Sequence, residues 1–300
     1  MSVTSPNPTP HLRTVILTQV RLIGGALHKP ALVATGLVLL TTMLVAIEWT
    51  DSRAPIAFRP EHYILPAILA VLSPIGIWTK EERFGAGLFW TLPVDRRRHA
   101  LTRVFAGWIW LMATVALLMA WLLALTVLTG GSVLTEEDRR VLVSATASGG
   151  PLDPRELQMV RWGPEPVLWL VPFSGATGAY LFASALTLGA RHPVRWIAAA
   201  VFGFLLVVSL AEAANAEALI AGSNALLRTF VEGRYGADAV LTARTESLQI
   251  SATLSNGDVV IVWKALPDVR AWAAATLLWT GAGLVLLWAA ASRHREGRRA

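Results

Sequence analysis

Residues 271–292 read AWAAATLLWTGAGLVLLWAAAS, without one charged side chain. A hydrocarbon core about 30 Å thick is crossed by about 20 apolar residues in helix, so this stretch reads as a membrane span. Five more apolar runs lie upstream: Ala31 to Trp49, Tyr63 to Trp78, Val104 to Thr129, Pro166 to Ala190 and Val194 to Ala211. The whole chain of 300 residues agrees, with 54% hydrophobic and only 15% charged side chains and a mean hydropathy of +0.53. Soluble domains carry about 25% charge. A soluble enzyme, a nucleic-acid-binding domain and a disordered chain are excluded on that balance. The expected fold class is an all-α membrane protein of six transmembrane helices. The second run is short and holds Pro66 and Pro74, which a helix bundle tolerates where neighbours meet the freed carbonyls. The third and fourth exceed what a bilayer needs and should tilt or project.

Six spans put both ends of the chain on one side, and the charges say which. The N-terminal segment, the loop from Lys80 to Arg103, the turn holding Arg191 and Arg195 and the C-terminal tail carry 15 of the 26 Lys and Arg. They hold only four acids, Glu81, Glu82, Asp95 and Glu296, a net of +11. The other side has 11 basic and 16 acidic residues, a net of −5. By the positive-inside rule both termini are cytoplasmic, in a multi-pass protein of the cell (plasma) membrane. Residues 1–10 are polar and Pro-rich, and the first apolar run is too deep and too long for a cleavable signal. It should remain as an anchor. Trp49, Trp78, Trp169, Trp196, Trp272 and Trp288 lie near span ends, where indoles anchor at the headgroups.

The organisation that follows is a cytoplasmic or interfacial segment (1–30), three spans with their loop 80–103 (31–129), and an extracytoplasmic loop (130–165). Two further spans (166–211), a second extracytoplasmic segment (212–270) and the last span with its basic tail (271–300) complete it. In residues 11–29, Val15, Ile16, Val20 and Ile23 share a helical face with Arg13, Gln19 and Arg21 elsewhere. That pattern suggests an amphipathic helix lying in the inner headgroup layer, or a plain juxtamembrane extension. Thr135-Glu136-Glu137-Asp138 reads as a helix start with Thr135 as N-cap. Ser247 to Leu254 alternates polar and apolar residues, Asn256-Gly257 follows, and Asp258 to Trp263 is β-branched. Asn-Gly between two such runs signals a hairpin, so a small extracytoplasmic β-hairpin element is expected.

Most catalytic chemistry is missing from the sequence. There is no GxxxxGK[ST], HExxH or CxxC pattern, and there are no cysteines, which removes ATP hydrolysis by this chain, thiol catalysis and the usual metal sites. The six His are scattered, and the candidate intramembrane acids, Glu48 and Glu212, lie near span ends. Phe173-Ser174-Gly175-Ala176 is similar to the serine motif of rhomboid intramembrane proteases. Pro172 stands where that family has Gly, however, and the later spans supply no His to act as base. A hydroxyl without a base is not an activated nucleophile.

The loop after the second span is the informative stretch. It reads Lys80-Glu81-Glu82-Arg83-Phe84-Gly85-Ala86-Gly87-Leu88-Phe89-Trp90-Thr91-Leu92-Pro93-Val94-Asp95-Arg96-Arg97-Arg98 and runs on through His99 to Arg103. Leu88, Phe89 and Leu92 make an apolar ridge among charges, Pro93 ends the first helical stretch, and Asp95 can cap the next. Such a surface suits docking of a cytosolic protein.

The stretch resembles the cytoplasmic loop of the permeases of type-two ABC exporters, E-R-x-x-G-x-L…L-P-V-x-R after the second of six spans. Glu82, Arg83, Gly85, Leu88, Leu92, Pro93, Val94 and Arg96 fit that form, and Arg103 stands where a basic residue often precedes the third span. Ala86 replaces the usual Thr, and the 212–270 segment is larger than in the commonest members. The resemblance implies a coupling loop on which a cytosolic ABC ATPase subunit, present twice, docks. It also implies a second permease chain forming the substrate pathway with this one, and ATP hydrolysed by the partner, with no cofactor bound here. Polar side chains in the spans, Thr41, Ser73, Thr114, Ser174, Thr177 and Tyr180, are candidates to line that pathway. Each can instead glue helix to helix. Hydrophobic spans suit lipids, drugs or a lipid-linked polymer as cargo. The alternative reading is a membrane scaffold or regulatory subunit that docks a cytosolic partner through the same loop and transports nothing.

Overall fold

A computed structural model describes residues 12–26, 28–52, 65–78, 96–131, 133, 136–142, 153–163, 165–190, 192–214, 216–243, 249–255, 257–263 and 266–293. It is mostly helical, with one small sheet. In chain order the elements are α1 (Leu12–Ala26), α2 (His28–Ser52), α3 (Leu65–Trp78), α4 (Arg96–Leu128), β1 (Glu137–Leu142) and β2 (Leu157–Trp162). There follow α5 (Val171–Gly189), α6 (Pro193–Ala213), α7 (Glu217–Leu227), α8 (Ala237–Thr242), β3 (Gln249–Thr253), β4 (Val259–Trp263) and α9 (Val269–Arg293). A 3₁₀ turn leads into α5 at Pro166–Leu170, and a π-helical turn, Arg228–Glu232, continues α7.

Among the described residues four helical stretches are long and apolar enough to cross a membrane: Arg97–Leu128, Pro166–Gly189, Pro193–Leu210 and Val269–Ser292. Two apolar stretches are shorter, Val38–Ile47 within α2 and all of α3. At 1.5 Å per residue α3 is only about 21 Å long, whereas α4 reaches about 50 Å. α4 starts eight residues before the expected start of the third span, so Arg96 to Arg103 form its first two turns.

α5 is the hub. Its sequence is rich in Gly, Ala, Ser and Thr, and small side chains let neighbouring helices approach closely. Gly175, Ala176, Gly178, Tyr180, Leu181, Ala185 and Leu188 are all buried, against α3, α4, α8 and α9. α9 answers with Gly283, where an added methyl would come within 2.9 Å of Leu181 Cβ. α2 and α6 lie at the periphery and expose Leu39, Leu44, Phe202 and Leu206 among others. Helices apolar on every side suit lipid rather than water.

α1 corrects the expectation for the N-terminal helix. Ile16, Val20 and Ile23 do share a face, but that face packs on α4 and α3 rather than on lipid, and it includes Gln19. The Trp110 indole N–H donates to the Val20 carbonyl at 2.8 Å, and Gly24 lies against the same ring. The outward stripe is instead Thr14, Leu17, Thr18, Arg21 and Leu22.

The β structure exceeds the single expected hairpin. Four strands form a sheet in the order β2-β1-β4-β3. β3 and β4 pair antiparallel, Gln249 opposite Trp263 to Thr253 opposite Val259. Their turn is a three-residue one, closed by Leu254 N–H to Asp258 O and Gly257 N–H to Leu254 O. Gly257 has φ +88°, a left-handed position that glycine takes without steric cost; Asn256 lies outside the described residues. The second hairpin, β1–β2, overturns the helix expected from Thr135: Glu137 onward is strand, paired from Glu137 opposite Trp162 to Leu142 opposite Leu157. The hairpins meet where β1 runs parallel to β4 at Val141 and Trp263. Leu142, Ala252 and Val262 form the core of one face. On the other, Arg139 is buried between the Trp162 ring at 3.6 Å and the Trp263 ring at 4.0 Å. Trp162 also joins Leu168, Val171, Ala243 and Trp272, which seats the sheet on the ends of α5 and α9.

Candidate functional site

The loop that resembles a coupling loop spans the gap between α3 and α4. Glu82, Arg83, Gly85, Leu88, Leu92, Pro93 and Val94 fall outside the described residues, and Arg96 opens α4. What the structure describes is the base from which this segment leaves and to which it returns. That base is built from three tethers.

The first is Arg103, buried in α4. A helix leaves its last four carbonyls without partners in its own turn, and its C-terminus carries partial negative charge. Arg103 answers both for α3: its Nη2 donates to the Ile77 carbonyl at 2.8 Å, and its guanidinium lies 5.2 Å from the centre of the Trp78 ring. A side chain from one helix thus caps another. The second tether is Tyr180 of α5, fully buried, whose hydroxyl donates to the Val104 carbonyl at 2.8 Å. Gly107, one turn further along α4, leaves the space both contacts need, since a methyl there would collide with Ile77 Cδ1 and Tyr180 Oη. The third is Arg97 at the start of α4, 4.7 Å from the centre of the Trp288 ring near the end of α9. The ends of α3, α4 and α9 and the middle of α5 are therefore joined beside one segment.

The six hydroxyl-bearing candidates fall on four helices, α2, α3, α4 and α5. Thr41, Ser73 and Thr114 each bond a carbonyl of their own helix, Val38, Leu69 and Trp110 respectively. Ser174, Thr177 and Tyr180 share α5 and reach across to neighbours. The Ser174 hydroxyl donates to Val171 O at 3.0 Å and accepts from the Trp272 indole at 3.2 Å. Thr177 donates to Phe173 O at 2.8 Å and accepts from the Trp108 indole at 3.1 Å. These contacts fix helix to helix, and Ser174 has its hydrogen bonds in that packing rather than in an activated pair. Among the described residues no group of three His, Asp or Glu is placed to hold a metal ion.

Two of the expected headgroup anchors are corrected by this packing. Trp78 is 2% exposed and Trp272 7%: the first is the platform under Arg103, the second a donor to α5. Trp49, Trp196 and Trp288 are exposed. Arg103 reads from the sequence as a loop residue just ahead of the third span; its position in the second turn of α4 and its tether to α3 were not foreseen. Trp108, Trp110 and Gly107 carried no local signal either, because their partners are distant in sequence. Compared with protein-family models, curated proteins and solved structures, the chain matches none.

Proposed function

We propose that the chain is the membrane-spanning permease subunit of an ATP-driven exporter of the type-two ABC class. In this reading α2 and α3 supply the first two of six spans, α4, α5, α6 and α9 the other four, and both termini are cytoplasmic. A cytosolic ATPase subunit docks on the 80–103 loop, and a second permease chain completes the pathway. The observation that carries the reading is the run Glu82-Arg83-x-Gly85 with Leu92-Pro93-Val94-x-Arg96 between a short apolar helix and a long one. The tethers support it, because a loop that passes force to spans must leave a base that does not yield. An Arg capping a neighbouring helix, a buried Tyr bridging two more and an Arg stacked on a third supply such a base.

Exchanging the loop's charges tests the docking surface. Glu82→Lys with Arg83→Glu should cut recovery of the ATPase with the tagged chain about tenfold, the effect of losing about 1.4 kcal/mol of interface energy. Membrane insertion, read by carbonate extraction, should be unchanged. Undiminished recovery with full ATPase activity would remove the loop from the interface.

A further inference from the structure

We infer that the β3–β4 hairpin rests on the membrane surface at which α5 and α9 begin, with Val259 and Ile261 set into the boundary between headgroups and acyl chains. The inference rests on α4, α5 and α9 as spans and not on an ATPase partner.

The level of the hairpin is the first ground. The β1–β2 hairpin joins the bundle at one end: α4 stops at Leu128 and β1 starts at Glu137, while β2 stops at Trp162 and the turn into α5 starts at Pro166. Glu137 lies opposite Trp162, so that end of the sheet is the membrane end. Trp162 packs there with Leu168, Val171 and Trp272. β4 runs parallel to β1, with Val141 level with Trp263. From Val141 back to Glu137 and from Trp263 back to Val259 is the same distance along the two strands. Val259 therefore comes level with Glu137, and the turn that precedes it points to the bilayer. The lipid-facing skin of the bundle reaches the same level. Val127 and Leu128 close α4, Val167 and Leu170 lie in the turn before α5, and all four are exposed.

The second ground is the face these side chains share. Successive side chains alternate between the faces of a strand, and residues directly opposite each other share one. Val259, Ile261 and Trp263 therefore lie on the face of Arg139, Val141 and Trp162, as the stacking of Arg139 on both indoles requires. The bundle covers that face at Trp162. Val259 is two strands away, about 10 Å at the usual strand spacing. There it is 72% exposed, with Ile261 beside it 63% exposed. The same face thus meets the bundle at one side of the sheet and, past the bundle's edge, meets lipid. Val259 to Trp263 is an unbroken apolar run, the pattern of a strand covered on both faces. The chain itself covers one of them, where Val260 and Val262 pack with Ala252 and Leu142. Opposite Ile261 and Val259 stand Ser251 and Thr253, both exposed, whose hydroxyls suit headgroups. Asp138, Arg140 and Arg161 are exposed on the other face of the sheet, which is the wet one. An apolar face with a polar rim, held at the interface, settles about 5–10 Å into the headgroup and acyl boundary.

The chain has no cysteine, so a nitroxide can be attached at one chosen site of the full chain in phosphatidylcholine vesicles. Collisions of the label with oxygen and with a water-soluble nickel chelate, both admitted to each side of the membrane, separate water, lipid and protein surroundings. Val259→Cys and Ile261→Cys should collide with the chelate at least about threefold less often than Met159→Cys on the wet face, because the lipid boundary excludes it. Their collisions with oxygen should be at least as frequent as those of Met159→Cys. Leu277→Cys, exposed on α9, supplies the reading of the acyl region, and the two hairpin sites should fall between it and Met159→Cys. Chelate collisions equal to those of Met159→Cys would put the hairpin in water and overturn the inference. Few collisions with either reagent would show protein on the patch, a second copy of this chain or another partner, and overturn it equally. Met159, Val259 and Ile261 are all more than half exposed, and the two hairpin sites are read independently, so loss of one variant leaves the contrast measurable. None of these readings depends on an ATPase, so failure here and failure of the permease reading are separate results.

Discussion

Arg139→Ala is expected to open the seam between the two hairpins, the largest local effect of any single substitution in the sheet. Among the described residues β1 and β4 pair at Val141 and Trp263, the place where the two hairpins meet. Arg139 spans the seam, 4% exposed, with an indole from each hairpin on its two sides. A desolvated cation on an indole face contributes up to about 2 kcal/mol, and Arg truncation also removes packing against its aliphatic stem. Together a loss of about 2–4 kcal/mol is expected. Since 1.4 kcal/mol is tenfold, the open form should rise about 30-fold or more. Limited trypsin digestion of the folded protein reads this directly: cleavage after Arg140 and Arg161 should accelerate by that factor. Arg139→Lys should fall between, as it keeps charge but not the planar stack. Unchanged cleavage in Arg139→Ala would mean that the seam is held elsewhere.

Arg103→Ala should have the second largest effect, on the helix bundle itself. A hydrogen bond from a charged donor contributes about 1.5–3 kcal/mol, and here its loss would leave the Ile77 carbonyl at a helix end without the guanidinium that caps it. The stack on Trp78 would go with it. A fall of about 2–4 kcal/mol is expected, seen as a lowered Tm in detergent and as faster amide exchange in the last turn of α3. Arg103→Lys should recover part of the stability by keeping a donor. Arg98→Ala, at an exposed neighbouring position, should stay within about 0.5 kcal/mol of the parent. Equal stability of the Arg98 and Arg103 variants would show that α3 needs no cap from α4.

How far these features could be read from sequence depends on whether their cause is local. The long apolar helices were legible because span length and hydropathy sit within one window of residues. The β3–β4 hairpin was legible for the same reason, with Gly257 marking the turn, although the turn holds three residues and not two. β1 was missed because Glu137-Asp138-Arg139-Arg140 puts charge on both faces and shows no period-two alternation. Only Trp162 and Trp263, distant in sequence, make Arg139 a buried residue. Trp78 and Trp272 were misread because an indole at a span end is equally suited to headgroups or to a neighbouring helix, and the neighbour decides. On α1 the face of Ile16, Val20 and Ile23 was legible, but Gln19 was placed elsewhere although it lies in the packed stripe, because a polar residue argues for the outside.

The central claim is that this chain works as a permease beside a separate ATPase. The most direct test is to solubilise the tagged chain from its own host in mild detergent, isolate it and identify what comes with it. A P-loop ATPase at one copy per chain, lost on exchanging the charges of Glu82 and Arg83, is the expected result. Repeated recovery of the intact chain with membrane or signalling proteins and no ATPase would contradict the permease reading and favour a scaffold.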